Sequence, residues 1–96
     1  MGVLIPELEP IKPDVFINTA AGTAVWAARL TEDNLGNVWE WAESKPFWSG
    51  GKVTGLTVYT PQGREKAEFG DWVVKAEWGW SRVTNAEFQR MFRAKP

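Results

Sequence analysis

Any chemistry in this 96-residue chain must rest on its carboxylates, its eleven cations and its seven tryptophans, because it contains neither His nor Cys. Without His there is no Ser-His-Asp triad, none of the usual zinc ligation, and no side chain that ordinarily titrates near neutral pH. Without Cys there is no disulfide, thiol nucleophile or thiolate metal site, which fits a reducing cytosol. Carboxylates stand close together at Glu32/Asp33, Glu40/Glu43 and Glu65/Glu68. Glu40 and Glu43 lie three apart on an expected helix and so share one region of its surface. Acid–base work requires one desolvated member with a raised pKa, and nothing in the neighbouring residues supplies that, so these pairs read as solvated faces. Gly70-Asp71 ahead of an apolar strand reads as a turn and its cap, since a single carboxylate does not hold a metal. No catalytic, metal-binding or cofactor-binding residue is expected, and the chain does not read as an enzyme.

The tryptophans are the sharper clue. Trp26, Trp39 and Trp72 fall at positions expected to face a core. Trp41 lies off its helix stripe, Trp48 sits in a Gly/Pro loop, and Trp78 and Trp80 flank a tight reversal. Trp and Arg are enriched at binding hot spots, so Trp41, Trp48, Trp78 and Trp80, with Arg82 at their rim, form the candidate protein-binding surface; the competing reading is that some of them cover a second face of the sheet or pack under the N-terminal arm. Cations outnumber acids near the C-terminus, where Arg82, Arg90, Arg93 and Lys95 face Glu87 alone. They suit the negative end of a helix dipole, and four charges give only weak, salt-sensitive contact with nucleic acid. The net charge of −1 also argues against a nucleic-acid binder.

These residues need a scaffold, and the length allows one domain. Residues 1–22 carry Pro6, Pro10 and Pro13 and read as an extended arm whose Val15-Phe16-Ile17 cluster packs on the domain or adds an edge strand, the alternative being a flexible arm that orders only on a partner. No apolar run reaches the length of a membrane span, and the N-terminal apolar stub lacks the basic region of a signal peptide. Residues 23–96 read as a single α+β domain in the order β-α-β-β-β-β-α, one antiparallel-rich sheet with one packed helix and a short C-terminal helix. The first strand spans residues 24–30. Thr31-Glu32-Asp33-Asn34 supplies helix-start chemistry, and a helix to about Ser44 places Leu35, Val38, Trp39 and Ala42 on one stripe. Residues 46–51 read as a loop, and strands follow over 52–60, 64–68, 72–77 and 80–83. Thr60-Pro61-Gln62-Gly63 has turn chemistry, and Thr84-Asn85-Ala86-Glu87 matches a capping box opening a helix that carries Phe88, Met91 and Phe92.

Val58-Tyr59-Thr60-Pro61-Gln62-Gly63, then Gly70-Asp71-Trp72-Val73-Val74-Lys75, then Gly79 and a polar helix start before Phe88, together resemble a family of small uncharacterised bacteriophage proteins. That family has a C-terminal Gly-Asp-aromatic-Val/Ile-Val/Ile-Lys strand, a Gly turn and a terminal helix. The resemblance covers about residues 24–92 and is most specific over Gly70–Lys75. This chain departs from it in a shorter Gly79–Phe88 segment, in Ala76 where the family has Gly, and in its N-terminal arm. The family has no established activity to carry over, so the resemblance implies a phage origin and a fold.

The expected function is a phage-encoded, non-enzymatic protein-binding module that inhibits or redirects a host protein in the host cytoplasm, without cofactor. The alternative is a structural or assembly component of the virion, with residues 1–22 contacting a neighbour.

Overall fold

Residues 14–95 are described by the computed structural model, and they form eight strands and two short helices. In chain order these are β1 (Asp14–Asn18), β2 (Ala24–Arg29), α1 (Leu35–Trp41), β3 (Lys45–Ser49), β4 (Lys52–Thr60), β5 (Gly63–Glu68), β6 (Trp72–Ala76), β7 (Gly79–Val83), α2 (Asn85–Met91) and β8 (Phe92–Ala94). The fold is α+β with antiparallel pairing throughout. Its strands divide between two sheets, a five-stranded one ordered β7-β6-β2-β1-β8 and a three-stranded one ordered β3-β4-β5.

Strand alternation gives the five-stranded sheet two working faces. Ala28 pairs with Val73, and both join Leu30, Val38, Leu56, Val58 and Ala67 in a core between the sheets and α1. Their neighbours Ala27 and Val74 point the other way and pack with Val25, Phe88 and Phe92 under α2. Burying each large aliphatic side chain contributes roughly 1.5–3 kcal/mol, so two modest cores hold a chain this short. Strands β4 and β5 approach closely at Gly55, where a Cβ would collide with the carbonyl oxygen of Ala67.

Three local differences from the sequence reading have physical causes. Val15-Phe16-Ile17 does form a strand, but β1 is interior, because β8 pairs along its outer side (Phe16 with Ala94, Asn18 with Phe92). The domain boundary expected at residue 22 therefore falls inside the β1–β2 hairpin, and the remainder of the expected arm lies outside the described residues. Residues 45–49 form a strand where a loop was expected; Pro46 is tolerated because β3 is an edge of its sheet. Helix α1 stops at Trp41, Glu43 takes a φ of +50°, and the Ser44 hydroxyl donates to the Trp39 carbonyl at 3.2 Å.

The expected turn at Gly63 has the chemistry read from the sequence, and the expected capping box at Thr84 has half of it, since the Glu87 carboxylate takes the Thr84 hydroxyl and not a backbone N–H. Gly63 closes the β4–β5 turn with φ +123°. Thr84 caps α2 by accepting from the Glu87 N–H at 3.3 Å, while its hydroxyl donates to the Glu87 carboxylate at 2.9 Å. At α1 the polar cluster acts differently. Thr31 and Asn34 bond reciprocally (2.8 and 3.2 Å), Asn34 donates to the Arg29 carbonyl at 2.7 Å, and no side chain caps the helix.

Candidate functional site

The tryptophans sort differently from the sequence reading. Trp41 and Trp80 meet edge to face, with ring centroids 4.8 Å apart, and both pack half-buried against the core between the sheets. Lys75 lies over the outer side of Trp80, its ammonium 5.3 Å from the ring centroid. Arg82 is also engaged, with its Nε–H donating to Asp71 Oδ2 at 2.9 Å. Asp71 is buried and accepts the Glu68 N–H through the same oxygen, which is the turn-capping role expected of it. Of the five candidate surface residues, Trp48 and Trp78 stand in solvent, each 62% exposed.

Two tryptophans expected in the core are outside it. Trp26 is 50% exposed although it shares strand parity with Ala28 and Leu30. The three-stranded sheet packs over β7, while β1, which pairs beside Trp26, makes its extensive contacts only with β2 and β8. Trp39 is 42% exposed because α1 turns Leu35, Val38, Trp41 and Ala42 inward instead. Trp72 keeps a packing role: it stacks on Phe88 with centroids 3.8 Å apart and planes within 2°, and its Nε1–H donates to Asn85 Oδ1 at 2.9 Å.

Trp78 borders a groove that the sequence does not announce. Helix α2 has seven residues and covers the Phe16–Trp72 side of its sheet face through Phe88. Beyond it, Val25, Val74, Ala76 and Val83 line an open groove of about 610 Å³. Phe92 and Met91 also line it, together with Glu77 and Trp78 from the β6–β7 turn. Because Ala76 pairs with Gly79, Glu77 and Trp78 are the two residues of that turn, and Gly79 leaves it with φ +133°. Small side chains at Ala76 and Ser81 on neighbouring strands, beside valines of the same parity, are the sequence signal that could have revealed the groove.

A second pocket of about 280 Å³ lies beside the start of α1, lined by Leu35, Val53, Thr54 and Phe69 with Glu32 and Lys52. There the Thr54 hydroxyl oxygen is buried with no hydrogen-bond partner among the described residues. No group of three or more Asp and Glu residues is arranged to hold a metal among the described residues, and no helix there is long and apolar enough to cross a membrane. The chain matches no protein-family model, no curated protein and no solved structure.

Proposed function

We propose that this chain is a non-enzymatic protein-binding module, with Trp78 and the groove beside it at the centre of its contact surface. The observation carrying this reading is that four of seven tryptophans, at positions 26, 39, 48 and 78, are 42–62% exposed. Trp is ordinarily well buried in a folded chain, and here two small cores form without these four rings. Indole surface left in water beside an apolar groove is what a partner covers. The resemblance over residues 24–92 supports a phage origin, and with it a host protein in the host cytoplasm as the partner.

The test is capture from bacterial lysate by the tagged full chain, compared with folded Trp78→Ala and Trp48→Ala. A protein retained by the wild type and lost with Trp78→Ala supports the reading. Equal capture by all three chains ends the assignment of this surface.

A further inference from the structure

Resting on that reading, we infer that the groove beside α2 takes a basic amphipathic peptide segment of the partner, with apolar side chains on the Val25–Val74–Val83 floor and a Lys or Arg between Glu77 and Trp78. The volume, about 610 Å³, exceeds that of any one side chain, and the groove is partly open to solvent. That shape admits a segment of chain bearing several anchors. Met91 at the wall is 40% exposed and has the adaptable thioether side chain common at surfaces that accept such segments.

Charge chooses the occupant. Glu77 is the one ionisable side chain lining the groove, and among the described residues it has no ion-pair partner within 4 Å. Its neighbour in the turn, Trp78, offers an indole face to solvent. A cation placed between them gains from the carboxylate and from the ring quadrupole together. An acidic segment would bring like charge to the exposed Glu77 carboxylate, and a neutral one offers it no opposite charge. Most of the floor is apolar (Val25, Val74, Ala76, Val83 and Phe92), with Asn18, Thr23 and Ser81 as its uncharged polar members, so the apolar face of the same segment supplies most of the remaining contact.

Two synthetic twelve-residue peptides test this by titration into the ¹⁵N-labelled full chain. Both carry the same Leu/Trp face and differ only in Arg or Glu at the flanking positions. The Arg peptide is expected to bind roughly tenfold more tightly, on the scale of one cation–π contact joined to one ion pair, and to shift the amides of Val25, Ala76, Ser81 and Val83. Glu77→Lys, an exposed turn substitution, should reverse the preference, and Glu77→Gln should reduce it several-fold. Equal binding of the two peptides, shifts confined to other strands, or no shift at millimolar peptide overturns the inference. Capture from lysate that is lost with Trp78→Ala but unchanged with Glu77→Lys overturns the cation preference alone and leaves the binding-module reading standing.

Discussion

Asp71 and Arg82 are joined across the β6–β7 pair by a 2.9 Å charge-assisted hydrogen bond, and the same Asp71 oxygen holds the Glu68 N–H at 2.9 Å. The aspartate therefore fixes the turn that delivers the chain from one sheet to the other, with Gly70 at φ +99° as its corner. Asp71→Ala leaves a backbone donor and a half-buried guanidinium without their acceptor and should destabilise by about 2–4 kcal/mol. Arg82→Ala leaves Asp71 bonded to Glu68 and should cost less, about 1–2 kcal/mol. Urea denaturation of both variants measures the asymmetry; equal losses would show that the ion pair, not the turn bond, dominates.

The division between packed and exposed indoles makes a second prediction. Trp41→Ala removes the ring that meets Trp80 edge to face and should destabilise by about 2–3 kcal/mol, somewhat below the cost for a fully buried ring. Trp48→Ala and Trp78→Ala should stay within about 0.5 kcal/mol of the wild type. Thermal melts of the three variants check this, and a large loss at Trp78 would place it in the packing rather than on the surface.

Thr54 carries a buried hydroxyl without a partner on a strand. Thr54→Val keeps the shape, removes the unsatisfied oxygen and suits a strand at least as well. Stability should rise by up to about 1 kcal/mol, read as a higher midpoint in urea with an unchanged slope.

Helix α2 forms one wall of the apolar face and depends on its cap. Thr84→Ala removes both the bond from the Glu87 N–H and the hydroxyl–carboxylate bond, and should cost about 1 kcal/mol. Hydrogen exchange at Glu87 and Phe88 should quicken in that variant before exchange in β4 changes.

Much of the chain was readable because local chemistry and tertiary structure agree. The Thr84 cap, the Gly63 turn and the alternation of Val73 and Val74 each have one physical outcome whatever surrounds them. The tryptophans were less readable because their fate depends on what lies opposite. Trp39 fits the expected stripe with Leu35, Val38 and Ala42 and Trp41 lies off it, yet Trp41 is the ring that turns inward, where it meets Trp80. Trp26 has the parity of a core residue, but its burial requires a second layer that does not extend over β1. β8 escaped notice because three residues after a helix carry no strand pattern of their own; their pairing is supplied by β1. The groove is the same kind of case, since it is created by how short α2 is relative to the sheet beneath it.

The pairing of β1 with β8 also sets an order of events. The five-stranded sheet joins Phe16 to Ala94, from opposite ends of the described residues, so the β1–β8 ladder is its most non-local pairing in sequence. During synthesis β1 can find β2 at once, but its outer edge stays unpaired until residues 92–94 have left the ribosome. Over that interval the newborn chain exposes an open strand edge, and completion of the sheet waits for residues 92–94 to reach it.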